Sequence, residues 1–265
     1  MQEPPNLLNN DKYDVSKATL NLRWLVIGPS RSGTTLLASL LSRLGICFGV
    51  KDRDWNIDSG YYEHPQALRA YGHVRKWNKL TRFSDNISGF FRDRAIECLE
   101  KALRDVDGLK YPPLSSDLPF FVKQAGFEPR LAISLRSFDT YALSRMRKEG
   151  VDWVTCKEDY INIYQTALFN LHLYGGTIFC YEDLWNEGRS RWLPALMAIT
   201  GANEADAAAA LEACVKKARH QSLPALAQEE CDALYQQLLS CRWGSRCNQK
   251  NTWELPYQVP SGKGL

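Results

Sequence analysis

Leu25-Val26-Ile27-Gly28-Pro29-Ser30-Arg31-Ser32-Gly33-Thr34-Thr35-Leu36-Leu37 is the stretch that decides how this chain is read. The apolar run Trp24 to Ile27 predicts a buried parallel strand. A short turn bearing Gly28 and Gly33 follows. Leu36, Leu37, Leu40, Leu41 and Leu44 then recur at helical spacing, and Gly45 ends the pattern. Strand, glycine turn and helix make a phosphate cradle. The glycines let backbone N–H groups converge on an anion, and the helix N-terminus adds a favourable dipole. Arg31 supplies a charged donor, and Ser32, Thr34 and Thr35 supply hydroxyls.

Gly28 and Gly33 have the spacing of an ATP-type phosphate loop, but Thr34 stands where that loop carries its lysine. The loop's side-chain cation, Arg31, comes before the second glycine. In this respect Arg31-Ser32-Gly33-Thr34-Thr35 resembles the loop of sulfotransferases that use 3′-phosphoadenosine 5′-phosphosulfate (PAPS), which reads Lys/Arg-x-Gly-Thr-Thr/Ser. The resemblance implies that Arg31, Ser32, Gly33, Thr34 and Thr35 bind the 5′-phosphosulfate. It also implies PAPS as co-substrate, its desulfated 3′,5′-bisphosphate (PAP) as product, and no metal.

Three further stretches carry the same resemblance, which runs from about Leu22 to Trp185. Arg136 closes a second strand candidate, Arg130 to Arg136, and Ser144 lies eight residues on in the next helix. The family binds the 3′-phosphate with an arginine and a serine at this separation. The chemistry agrees, since a guanidinium at the carboxyl end of a strand faces the crevice where α/β folds bind ligands. The family's Asp/Asn-Pro after the arginine is Ser137-Phe138 here. Tyr181-Glu182-Asp183-Leu184 resembles the stretch whose tyrosine lies near the adenine; Tyr181 packed in the core at a strand end is the equal alternative. Gly60-Tyr61-Tyr62-Glu63 is similar to the Gly-aromatic-aromatic-Glu motif of bacterial sulfotransferases.

Lys110-Tyr111-Pro112-Pro113 sits where relatives carry Lys-Asp-Pro-Arg or Lys-x-His, and no histidine follows Lys110 by two residues. The resemblance therefore places the catalytic role on Glu63, with Arg31 and Lys110 beside it and His64 as a rival base. Stabilising its own helix N-terminus is the other reading of Glu63.

The whole chain sets the bounds. Its 265 residues suit one large α/β domain, residues 21–265, behind a loose polar arm over residues 1–20. A 45% hydrophobic composition argues for a sizeable core, and a net charge of +3 argues against a nucleic-acid partner. The eight cysteines are scattered without a C-x-x-C pair, which argues against zinc and suits a reduced, cytoplasmic setting. A disulfide between Cys241 and Cys247 is not argued by spacing alone. No apolar run approaches the ~18 residues of a membrane span, and the N-terminus lacks a signal-peptide pattern. A Golgi-type anchored enzyme would need such an anchor.

The remaining elements follow from periodicity. Ile46 to Val50 reads as a short strand, and Glu63 to Lys79 as a helix with Leu68, Tyr71, Val74 and Trp77 inward. Phe90 to Val106 reads as a helix ended by Gly108, and Ser115 or Ser116 as the cap of a short helix. Phe138 to Lys148 and the Tyr160–Leu171 stripe are helical, and Thr177 to Tyr181 is a third strand. The C-terminal third is helical, with stripes at Leu211, Val215 and Ala218 and at Cys231, Leu234, Leu238 and Cys241. Strands alternating with helices predict a three-layer α/β/α fold around a parallel sheet, with right-handed connections. The acceptor, a small molecule or a glycan, is not named by these residues. The alternative readings are a phosphate-loop kinase or NTPase, and a nucleotide-binding module without activity.

Overall fold

The computed structural model describes residues 21–49, 62–81, 85–185, 187–215 and 228–241. The expected N-terminal arm, Gly60, Tyr61, Val50, Ala218 and Cys247 lie outside them.

The quoted apolar run forms β1 (Leu22–Ile27), and the leucine stripe forms α1 (Thr34–Arg43). Then come α2 (Pro65–Leu80), α3 (Asp85–Leu103), β2 (Gly108–Lys110), α4 (Leu118–Gln124) and β3 (Glu128–Leu135). Next are α5 (Phe138–Glu149), α6 (Trp153–Tyr174), β4 (Gly176–Cys180) and a 3-10 turn over Tyr181–Trp185. Helices α7 (Trp192–Thr200), α8 (Glu204–Val215) and α9 (Glu229–Ser240) follow. The four strands are parallel in the order β2-β1-β3-β4, and Val26 stands level with Lys110 on one side and Ala132 on the other.

Strand alternation sends neighbouring residues to opposite faces. Leu25, Ile27, Leu131, Ile133 and Ile178 join a core built with α2 to α6 and α9. Val26, Ala132 and Phe179 join a second core with α1, α7 and α8. Both sheet faces are covered by helices, so the architecture is the expected three-layer α/β/α fold with a central parallel sheet. The carboxyl ends of β1, β2 and β3 then present Gly28, Lys110 and Arg136 side by side.

Several local expectations are corrected. Ile46 to Gly49 is irregular rather than a strand, and the second strand is Gly108–Lys110. The two segments do touch: the Cys47 carbonyl accepts the N–H groups of Asp107 (2.8 Å) and Gly108 (3.1 Å). Gly108 is thus a strand residue, not a helix stop. A Cβ there would lie 2.8 Å from both Phe48 Cε1 and the Trp24 carbonyl, so only glycine admits Phe48 this close to the sheet.

Leu68, expected inward, is 58% exposed; α2 buries Ala67, Ala70 and Val74 instead. Neither Ser115 nor Ser116 caps α4, whose N-cap is Asp117. The described part of the C-terminal third after β4 is mostly helical, and its helices begin with α7, which lies before the first stripe read from the sequence. Among the described residues, Cys47, Cys98, Cys156 and Cys231 are free thiols. No described helix is long and apolar enough to cross a membrane.

Candidate anion-binding and transfer site

The site begins where β1 runs out. Residues 28–33 turn the chain into α1, with Gly33 at the N-cap and no side-chain cap. The first-turn N–H groups of α1 are therefore left for an anion. Gly33 has φ 103°, and a Cβ on it would lie 2.8 Å from Tyr181 Cδ2. The loop is closed from below by two serines. Ser115 Oγ donates to the Gly28 carbonyl (3.0 Å) and accepts its N–H (3.3 Å), and Ser134 Oγ donates to the Ser32 carbonyl (2.9 Å).

Four loop residues carry the donors. Thr34 is buried and Thr35 half-buried at the start of α1. The Ser32 hydroxyl is fully buried and has no hydrogen-bonding partner among the described residues. Arg31 is exposed at φ 71°, the one non-glycine with positive φ among the described residues. Its guanidinium makes no ion pair or hydrogen bond with them. A strained backbone carrying a free cation is what an anion cradle requires, and burial of an unpaired hydroxyl points the same way.

Arg136 follows β3 and is only 6% exposed. Its Nη1 donates to the Arg31 carbonyl (2.9 Å), its Nε donates to Thr140 Oγ1 (3.1 Å), and its Cζ lies 4.6 Å from the Tyr181 ring centroid. The backbone is pinned too: Tyr160 OH donates to the Arg136 carbonyl (2.9 Å), while Tyr164 OH donates to the Ser134 carbonyl (2.7 Å) and accepts the Arg136 N–H (3.2 Å). Burial pushes both phenols well above the usual range, so they remain donors. Burial also disfavours the Arg136 charge, and among the described residues no carboxylate forms an ion pair with it. A bound anion would supply the missing counter-charge.

Ser144 is buried on α5. That helix meets the loop at both ends, through the Arg136–Arg31 bond and through Ser30 Oγ, which donates to Glu149 Oε1 at 2.5 Å. Ser144 lies on the helix between these two ties. Tyr181 is packed against the cradle, with its ring between Gly33 and the Arg136 guanidinium.

The second cluster sits one strand away. Lys110 Nζ donates to Glu63 Oε1 at 2.8 Å. Burial lowers the lysine pKa, Glu63 opposes that shift, and Arg31 adds to it, so the three side chains share one field. Glu63 does not cap α2. His64 is the N-cap, its Nδ1 accepting the Gln66 N–H (3.1 Å), and Pro65 takes the first helical position. The N-cap position thus belongs to His64, and the Glu63 carboxylate pairs with Lys110. The rival base His64 has one nitrogen committed to the backbone, and burial lowers its pKa.

The expected residues thus fall into two groups, Arg31 to Thr35 with Arg136 and Tyr181, and Glu63 with Lys110, while Ser144 is buried on α5. The supporting residues Ser115, Ser134, Thr140, Tyr160, Tyr164 and Glu182 were not singled out from the sequence as functional. Two had a signal: Ser134 is a polar residue inside an apolar strand, and Glu182 belongs to the Tyr181–Leu184 stretch quoted above. Among the described residues, no group of three or more His, Cys, Asp or Glu side chains is placed to hold a metal.

No family model matches the chain. Its backbone is similar to that of the sulfotransferase domain from the Synechococcus PCC 7002 olefin synthase, with a TM-score of 0.47 and 16% identity over 83% of this chain and 94% of that one.

Proposed function

We propose that this protein transfers a sulfuryl group from PAPS to a hydroxyl or amine of a small-molecule or glycan acceptor. The observation that carries the reading is the convergence of Arg31 and Arg136 on one glycine loop. Among the described residues neither guanidinium has a carboxylate ion-pair partner. An ATP-type loop places a lysine where this chain has Thr34. Two arginines suit a nucleotide with phosphate at both its 5′ and 3′ positions.

In this reading the loop N–H groups, Arg31, Ser32, Thr34 and Thr35 hold the 5′-phosphosulfate. Arg136 and Ser144 hold the 3′-phosphate, and the Tyr181 ring backs the pocket. The acceptor oxygen forms a bond to sulfur as the sulfur–oxygen bond to the 5′-phosphate breaks, and PAP leaves. Arg31 and the loop donors stabilise the charge growing on the departing phosphate by position alone. Glu63 takes the acceptor proton. Lys110 Nζ, 2.8 Å from Glu63 Oε1, holds that carboxylate in place through a charge-assisted hydrogen bond.

Calorimetric titration with PAPS, PAP and ATP, followed by turnover of PAPS with an acceptor library, tests this. PAP binding well above ATP binding, with sulfated product and no effect of EDTA, is the expected result. Preference for ATP with strict dependence on Mg²⁺ would replace it with a kinase or NTPase, and PAP binding without turnover on any acceptor would leave a nucleotide-binding module.

A further inference from the structure

The turn that carries Arg136 departs from the family pattern, with Ser137-Phe138 in place of Asp/Asn-Pro. A carboxylate from the 3-10 turn after β4 holds it. Glu182 Oε1 accepts the Ser137 N–H at 2.9 Å and the Thr140 hydroxyl at 3.1 Å. Its Oε2 accepts from Tyr235 OH of α9 at 3.2 Å and from Cys180 Sγ at 3.3 Å. Every lone-pair region of the carboxylate is thus committed, and the four partners come from three elements: the α5 N-terminus, β4 and α9.

Thr140 has one hydroxyl proton and two lone pairs. The proton lies within reach of two acceptors, Glu182 Oε1 at 3.1 Å and the Ser137 carbonyl at 3.2 Å, and either use leaves the lone pairs for Arg136 Nε–H (3.1 Å) and for the Ser137 hydroxyl (2.8 Å). The geometry points to Glu182 as a positioning residue for Arg136, acting through Thr140. The indirect route has a chemical consequence. A carboxylate paired directly with the guanidinium would neutralise it and compete with an anionic ligand. A carboxylate one hydroxyl removed orients the guanidinium and leaves its outer N–H groups and its charge for the ligand. This assignment rests on the nucleotide reading above for the identity of the ligand, not for the geometry.

The experiment compares the affinities of PAP and adenosine 5′-monophosphate, which lacks the 3′-phosphate, for wild type and four variants. Glu182→Ala and Thr140→Val should each lower the PAP-to-monophosphate affinity ratio by about tenfold or more, the scale of one charge-assisted hydrogen bond. Glu182→Gln and Thr140→Ser retain the accepting oxygen and the hydroxyl, and should restore the ratio. Thr140→Val keeps shape and volume, so the inference stands testable if Glu182→Ala fails to fold. A wild-type ratio in both Thr140→Val and a folded Glu182→Ala overturns it. If wild type itself ignores the 3′-phosphate, the nucleotide reading falls instead. The positioning role is then read from the Arg136 Nε–H resonance in ¹⁵N spectra, protected in wild type and Glu182→Gln. Equal protection in Thr140→Val would again overturn it.

Discussion

Lys110 reaches Glu63 across 2.8 Å from a side chain that is 2% exposed, whereas Glu63 is 35% exposed. The pair is asymmetric: the lysine has little water to fall back on, and the carboxylate has some. Removing either partner therefore has a different cost, and the two effects separate chemistry from structure.

Glu63→Gln should lower kcat by roughly 10²–10⁴, the usual worth of a general base. It should also lower the melting temperature, because Lys110 loses its counter-charge. The cost should fall short of the ~3–5 kcal/mol of a fully buried pair, since Glu63 is partly hydrated. Adding Lys110→Met should recover stability but not turnover. Turnover at the wild-type rate in Glu63→Gln would remove Glu63 from the mechanism.

The same pair gives a pH signature. Burial sets the folded-state pKa of Lys110 below the ordinary value of 10.5. Between the folded pKa and 10.5 the unfolded chain binds more protons, so this group makes stability rise with pH across that window. Glu63→Gln removes the opposing pull, lowers the folded pKa further and extends the window to lower pH. Thermal melts of wild type and Glu63→Gln from neutral to alkaline pH should show the steeper positive slope in the variant, and Lys110→Met should abolish the difference.

Arg31 combines a left-handed backbone with a guanidinium that has no ion-pair partner among the described residues. Arg31→Ala and Arg31→Gly both remove the cation, but only glycine relieves a conformation worth about 1 kcal/mol or more to a side chain. Both variants should lose PAP binding by about tenfold or more. Arg31→Gly should melt at or above Arg31→Ala. The reverse order would show that the positive φ is not strained in solution.

Ser115 is the floor of the cradle, exchanging two hydrogen bonds with Gly28 while 1% exposed. Ser115→Ala leaves a buried N–H and a buried carbonyl unpaired, at about 1–3 kcal/mol. Urea unfolding should register that loss, and calorimetry should show weaker PAP binding through a loosened loop. Gly33→Ala should be worse on both readouts, because its φ of 103° and the Tyr181 ring leave no place for a methyl group.

The strand–loop–helix unit was legible in the sequence because all its determinants are local. An apolar run, two glycines at fixed spacing and a leucine stripe each act within a few residues, and β1, α1, β3, α5 and β4 followed from such patterns. Tertiary structure decided what depends on distant partners. Gly108 became a strand residue because Phe48 and Trp24 crowd the place of a Cβ. Ser115 became the loop's floor because Gly28, eighty-seven residues earlier, was brought beneath it. Glu63 passed from helix start to ion-pair partner because β2 delivers Lys110 to it, while His64 took over the cap. The sequence determined by itself that a strand, a glycine loop carrying Arg31 and a helix would follow one another. Only the fold decided that Arg136 would be held with no ion-paired carboxylate among the described residues, with Glu182 one hydroxyl away, because burial and charge compensation are properties of the neighbours that packing assembles and no periodicity records.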